Sequence, residues 1–173
     1  MKKYKRICII GNSGSGKTYL SKILTKRTGL PLYHIDKIYW LPGWVRVPVE
    51  ECRAKVVEMS EADEWIFEGN NKSTFRERFD RTELVVFLDV TPVLCCFRAL
   101  KRMMLDKVRD DMAEGCEERF DWKFCRYMLT YRKKIRPVVE ALIEEYKDKV
   151  DFCVVKNKKE RDKFIEELTE AYK

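Results

Sequence analysis

Apolar residues in this chain fall into short blocks separated by longer stretches of helical period. Lys5–Ile10, Leu32–Ile35, Trp65-Ile66-Phe67, Leu84–Leu88 and Val150–Val155 have the length and composition of buried strands. Between them the pattern predicts helices over Lys17–Thr28, from Pro48 to about Glu61, from Pro92 to about Leu105, over Trp122–Lys147 and over Lys158–Ala171. Asn71–Phe79 reads as a short helix or turn. Gly29 stands at the position where a helix ends in left-handed backbone. Thr91-Pro92 reads as an N-cap followed by proline at the first helical position, and Pro137 as a kink or break in the long helix. Lys37–Val47, which holds Trp40, Pro42, Gly43 and Trp44, reads as a loop, and so does the polar stretch Asp106–Asp121. Five strands alternating with helices predict an α/β fold in three layers, a parallel sheet covered on both faces. No repeat or low-complexity linker interrupts the chain, so one domain over residues 1–173 is expected.

In a parallel sheet of this kind ligands bind beyond the carboxyl ends of the strands. Those ends carry a distinctive set. The first strand runs into Gly11-Asn12-Ser13-Gly14-Ser15-Gly16-Lys17-Thr18, and a helix follows immediately. This is G-x-x-x-x-G-K-T in the strand–turn–helix context that gives the motif its meaning. Glycines let successive backbone N–H groups turn inward toward phosphate oxygens, and the helix presents its positive N-terminal end to the same anion. Lys17 supplies a point charge to the β- and γ-phosphates, and the Thr18 hydroxyl can ligate Mg²⁺. Gly11, Ser13, Gly14, Ser15, Gly16, Lys17, Thr18 and the adjoining Tyr19 are therefore the candidate residues for ATP. The remaining strand ends bring Asp36, Glu68 with Asn70, Asp89, and Lys156 with Asn157 to the same rim. Asp36 could orient or deprotonate an acceptor hydroxyl, with Trp40 and Trp44 as walls of its pocket. Glu68 and Asp89 compete for the acidic position beside Mg²⁺, although Asp89 could equally belong to the cap of the helix after it. Asn157 is a candidate nucleotide contact. His34, the one histidine, reads as a packed or hydrogen-bonded structural residue.

Composition narrows the surroundings of this chemistry. The chain has 173 residues and a net charge of +7, with no apolar run of membrane-spanning length and no targeting segment, so a cytoplasmic protein is expected. Seven cysteines occur without a C-x-x-C pair, which predicts reduced thiols rather than a disulfide frame or zinc site. Positive residues concentrate between Arg98 and Arg136 with acidic residues interleaved. That distribution suits a polyanionic small substrate as well as nucleic acid. Phe120, Trp122, Phe124, Tyr127 and Tyr131 recur at helical spacing and read as core packing rather than base stacking.

With these elements in place, the chain resembles the adenylate-kinase-type P-loop kinases, and within them the bacterial DNA topology modulation protein group. The likeness is carried by Gly29-Leu30-Pro31-Leu32-Tyr33-His34-Ile35-Asp36, Trp40-Leu41-Pro42-Gly43-Trp44 and Trp65-Ile66-Phe67-Glu68-Gly69-Asn70. Arg109-x-Asp111-Met112-Ala113-Glu114-Gly115-Cys116 and Tyr131-Arg132 complete it. The resemblance implies a sheet of order 2-3-1-4-5, a small lid over about 106–121, an acceptor region over about 36–62, and Mg²⁺-dependent phosphoryl transfer from ATP. It also implies that Arg98 lies over the adenine, that Arg102 and Arg109 reach phosphates, and that Arg126 and Arg132 close on the transferring group. Glu68 stands where the adenylate kinase aspartate would. The family's Asp-Gly-x-Pro-Arg is replaced by Glu68-Gly69-Asn70-Asn71-Lys72, so an AMP acceptor does not follow from the likeness. Two functional classes result: a phosphotransferase acting on a nucleoside, nucleotide or other small hydroxylated acceptor, or a nucleotide-regulated ATPase or switch that binds DNA. The absence of any helix-turn-helix or zinc-finger spacing disfavours the second.

Overall fold

The computed structural model describes residues 1–105, 111–116 and 121–173. Strand β1 (Arg6–Gly11) leads through the glycine loop into helix α1 (Lys17–Thr28), and β2 (Leu32–His34) runs into a short α2 (Ile35–Tyr39). A two-stranded antiparallel hairpin, β3 (Trp40–Leu41) and β4 (Val45–Arg46), precedes α3 (Val49–Ser60). Then follow β5 (Trp65–Glu68), α4 (Phe75–Phe79), β6 (Leu84–Leu88), α5 (Pro92–Met104), α6 (Trp122–Lys134), α7 (Arg136–Tyr146), β7 (Asp151–Val155) and α8 (Lys158–Glu170).

The main sheet has the order β2-β5-β1-β6-β7, which is 2-3-1-4-5 when its own strands are counted, and every pairing in it is parallel. Successive side chains of a strand point to opposite faces, so β1 divides its apolar residues between two cores. Ile7 and Ile9 join Leu20 and Leu24 of α1 and Phe164, Ile165 and Leu168 of α8. Cys8 and Ile10 join Phe75 and Phe79 of α4, Tyr131 of α6 and Val139, Leu142 and Tyr146 of α7. A third cluster seats α2 and α3 on Trp65 and Phe67 of β5. Helices thus lie on both faces and complete the three layers. Because all five strands run the same way, the glycine loop, Glu68, Asp89 and Lys156 leave the sheet at one rim.

Two local expectations change, and one break falls where Pro137 announced it. Lys37–Val47 is not a plain loop: it contains the end of α2 and the β3–β4 hairpin. The hairpin tip is tight, with Gly43 and Trp44 both at positive φ (77° and 64°). Trp40 packs edge-on to Tyr39 and Trp44, and the Arg46 guanidinium lies 5.6 Å from the centre of its ring. These contacts, distant from any 3.6 or 2-residue period, hold a segment that local pattern leaves open. The predicted long helix divides at Ile135, where Pro137 sits in the first turn of α7 and has no N–H to continue the ladder. Thr91 precedes α5 but its side chain makes no capping bond.

All seven cysteines are free thiols, five of them buried. Burial pushes the Cys8 thiol up, and pushes that of Cys95 up to about 11. A thiol-reactive dye at neutral pH is therefore expected to label at most the half-buried Cys96 and Cys153 in the folded protein. All seven become reactive once denaturant is added, and rapid labelling of more than two without denaturant contradicts this packing.

Candidate active site

The glycine loop is shaped by what lies beneath it. At Gly14 (φ 75°) a Cβ would fall 2.2 Å from the Cys95 carbonyl oxygen in α5, so only glycine lets the loop settle on that helix. The Ser15 N–H closes on the Asn12 carbonyl at 3.1 Å, and Asn12 Nδ2 donates to the Met128 carbonyl in α6 at 2.9 Å. Beyond this frame, polar capacity is left over. Ser15 Oγ and Asn12 Oδ1 are buried without a hydrogen-bond partner. Helix α1 begins without a side-chain cap and without an acidic residue in its first turn. Its leading N–H groups therefore point into the cradle with no partner from the helix itself. The Ser15 hydroxyl and these N–H groups are donors of the kind an anion such as a phosphate needs, whereas Asn12 Oδ1 can only accept.

Lys17, whose side chain is 10% exposed, donates to the Asn12 carbonyl at 3.1 Å and lies 3.8 Å from Glu68 Oε1. The other oxygen of Glu68 meets His34 Nδ1 at 2.8 Å. Glu68 is thus held between a lysine and a histidine, which is how a nearly inaccessible carboxylate remains tolerable. His34 has the hydrogen-bonded role expected of it, and its partner is the acidic residue of the site.

Asp89 is held differently. Arg132 Nε reaches its Oδ1 at 2.9 Å, Arg132 Nη2 donates to its backbone carbonyl at 3.1 Å, and Arg136 lies 3.6 Å from Oδ2. This is an ion-pair anchor between the end of β6 and helices α6 and α7, rather than part of the α5 cap. The backbone of Cys95 packs under Gly14, while its thiol is buried and donates to the Val90 carbonyl. Arg98 is half-buried on the same helix, one turn after Cys95. Arg102 is half-buried on α5, whereas Arg126 lies on the exposed side of α6. Arg109 lies outside the described residues, as does most of the expected lid; Asp111–Cys116 are within them.

Thr18 Oγ1 donates to Asp111 Oδ2 at 2.8 Å. Tyr19 is half exposed, with the Arg161 guanidinium 4.4 Å above its ring. Arg161 also reaches to 4.0 Å of where a Cβ on Gly16 would stand. Asn157 is engaged as the cap of α8, accepting the Glu160 N–H at 3.0 Å, and Glu160 in turn accepts the Lys156 N–H.

A second polar group lies on the turn that follows β5. Asn70 Nδ2 donates to the Tyr127 hydroxyl at 3.0 Å, and the Tyr131 hydroxyl donates to Asn70 Oδ1 at 2.8 Å. Burial drives the Tyr131 phenol far above its ordinary range, so it remains a neutral donor. Tyr127 is also raised, first by burial and in part by the negative charge of Asp36. Asp36, in the first turn of α2, is half-buried. Of the aromatic set, Tyr131 is core, Phe124 and Tyr127 are half-buried, Trp122 is exposed, and Phe120 lies outside the described residues.

Arg78 escaped the motif reading altogether. It is fully buried, and its guanidinium donates to the carbonyls of Gly69 and Asn71 at 3.0 Å each and of Thr74 at 3.2 Å. It braces the turn that carries Asn70. Nothing in its helical surroundings marks it, because its partners are backbone atoms that only the fold brings near. The links from Arg161 to Tyr19 and from Asn70 to Tyr127 and Tyr131 were hidden because these side chains are distant in sequence.

No protein-family profile matches this chain, and no curated protein matches it. Solved structures do. Shikimate kinase from Bacteroides thetaiotaomicron is 18% identical, with a TM-score of 0.58 over 96% of this chain and 97% of that one. Deoxyadenosine kinase from M. mycoides with bound dATP is 14% identical, with a TM-score of 0.60 over 94% and 98% of the two chains. A sugar kinase from a Janibacter species is 14% identical, with a TM-score of 0.52 over 96% and 90%. The chain has the three-layer architecture of the P-loop kinases.

Proposed function

We propose that this protein is an ATP-dependent phosphotransferase of the nucleoside and nucleotide kinase type, acting on a small acceptor through a hydroxyl or phosphate oxygen. One observation carries the reading above the rest. An uncapped, donor-rich loop carrying Lys17 opens at the same rim of the sheet as Glu68, Asp36 and the tyrosine-held Asn70, with Arg132 anchored on Asp89 beside them. The fold shared with kinases of shikimate, deoxyadenosine and sugar agrees with this reading.

In this reading the amides of Gly14 to Thr18 and the Ser15 hydroxyl bind the phosphates. Lys17 reaches the β- and γ-phosphates and loses its bond to Asn12 as it does so. The base lies toward the exposed Tyr19–Arg161 stack. Thr18 and the nearby acidic residue Glu68 offer the hard oxygen donors that suit Mg²⁺. Magnesium bound with the nucleotide neutralises charge on the phosphate oxygens. Asp36 accepts the proton of the acceptor hydroxyl, or orients it, while Asn70 is held rigid by two tyrosines so that its amide does not turn. Arg132, anchored on Asp89, keeps its charge at the transfer side of the loop.

The test is ATP consumption against a panel of nucleosides, nucleoside monophosphates, sugars and small hydroxy acids. Acceptor-dependent ADP release establishes the activity and names the acceptor class. ATP loss indifferent to every acceptor overturns the reading in favour of an ATPase. With the working acceptor, Asp36→Asn is expected to lower kcat by about 10²–10⁴-fold and to leave the KM for ATP unchanged. A variant with wild-type kcat removes Asp36 from the proton step.

A further inference from the structure

Thr18 can ligate a cation only through an oxygen lone pair, so the hydroxyl proton must be given to an acceptor elsewhere. In the structure that acceptor is Asp111 Oδ2, at 2.8 Å. The two strand-end carboxylates of the rim are occupied otherwise. Glu68 is held by His34 and Lys17, and Asp89 by Arg132 and Arg136. Asp111 is itself nearly inaccessible, at 7% exposure, which keeps its carboxylate in a setting where a hydrogen bond or a nearby cation counts strongly.

We infer that Asp111 is the positioning acid for magnesium at this loop: it accepts the Thr18 hydroxyl hydrogen bond and so turns the Thr18 lone pair to the metal. This positioning carboxylate lies in a segment outside the sheet and acts beside Glu68, which offers its own oxygen to the metal. No bond is made or broken in this role; the carboxylate stays ionised and the hydroxyl stays protonated. The inference rests on the phosphotransferase reading, and it deepens that reading by linking metal to acceptor. The same six residues, Asp111–Cys116, also touch the β3–β4 hairpin. The Gly115 carbonyl accepts the Gly43 N–H at 3.1 Å, and Cys116 Sγ donates to the Leu41 carbonyl at 3.3 Å. At Gly115 a Cβ would stand 3.2 Å from that of Pro42, so the two backbones approach closely. One short segment therefore joins the metal-binding hydroxyl to the aromatic hairpin on the acceptor side. Whatever metal binding does to the hairpin, an occupant of the hairpin side must do to metal affinity.

The experiment compares wild type, Asp111→Asn and Glu114→Gln. Glu114 is an exposed carboxylate on the same segment and controls for a general loss of negative charge. ADP binding is measured by calorimetry in EDTA, and Mn²⁺ binding to the ADP-saturated protein by electron paramagnetic resonance. Neither readout needs turnover. Asp111→Asn is expected to bind ADP in EDTA as wild type does, which also shows that it is folded, and to weaken Mn²⁺ binding about 10–100-fold. Glu114→Gln should match wild type in both. Wild-type Mn²⁺ affinity in Asp111→Asn, or an equal loss in Glu114→Gln, overturns the inference while leaving the phosphotransferase reading intact. A wild-type protein that binds no ADP with or without metal overturns both.

Discussion

Replacing Lys17 with alanine is expected to lower acceptor-dependent ADP release by about 10²–10³-fold or more while the protein still folds. The ammonium sits in the first turn of α1, 3.1 Å from the Asn12 carbonyl and 3.8 Å from Glu68. Its removal has two consequences. The transferring phosphate loses a cation at the point where charge is redistributed, and Glu68 is left to face that phosphate with a like charge. Neither harms packing much, since the side chain spans the loop rather than the core. Circular dichroism and melting should stay near wild type, and the activity assay then isolates the chemistry. Lys17→Arg should not restore the rate, because a planar fork cannot occupy the place of a compact ammonium. Undiminished transfer in the alanine variant would sink the assignment of the loop as the phosphate site.

Arg78→Ala is expected to produce the largest loss of stability. The variant leaves three carbonyl oxygens, of Gly69, Asn71 and Thr74, without their donors, and opens a cavity beside Phe75, over whose ring the guanidinium lies at 5.1 Å. At about 1–3 kcal/mol for each unsatisfied buried group, partly relieved by water, a net cost of about 3–5 kcal/mol is reasonable. In a chain of this length that corresponds to a fall in Tm of roughly 10 °C. Arg78→Lys should recover only part, since a single ammonium cannot reach all three carbonyls. Urea unfolding monitored by tryptophan fluorescence measures the effect. A midpoint equal to wild type would mean that the turn after β5 holds its shape without this residue.

Much of the architecture was legible because it is written in local pattern. The bounds Lys17–Thr28 and the stop at Gly29 follow from the glycine loop before the helix and the left-handed residue after it. The strands were visible as apolar blocks because a parallel sheet buries both of their faces, and right-handed crossovers through helices leave few other ways to assemble them. The β3–β4 hairpin was not visible. Its strands are two residues each, too short to show alternation, and its tip depends on Trp40, Trp44 and Arg46 packing on one another.

The site divides along the same line. Gly11 to Thr18 could be singled out from sequence alone as the candidate cradle, and its strand–turn–helix setting is as expected, because such a motif lies in one contiguous stretch of backbone. Asp36, Glu68 and Asp89 could be placed at the rim, since each follows a strand, but their partners could not. His34 holding Glu68, Arg132 holding Asp89, two tyrosines holding Asn70 and Asp111 holding Thr18 are pairs separated by between 34 and 93 residues. Sequence by itself determined the loop, the strands and the direction in which they deliver charge, because those depend on neighbours in the chain. Tertiary structure alone decided which charge meets which, because a carboxylate's role follows from the groups that share its buried volume, and those are chosen by packing.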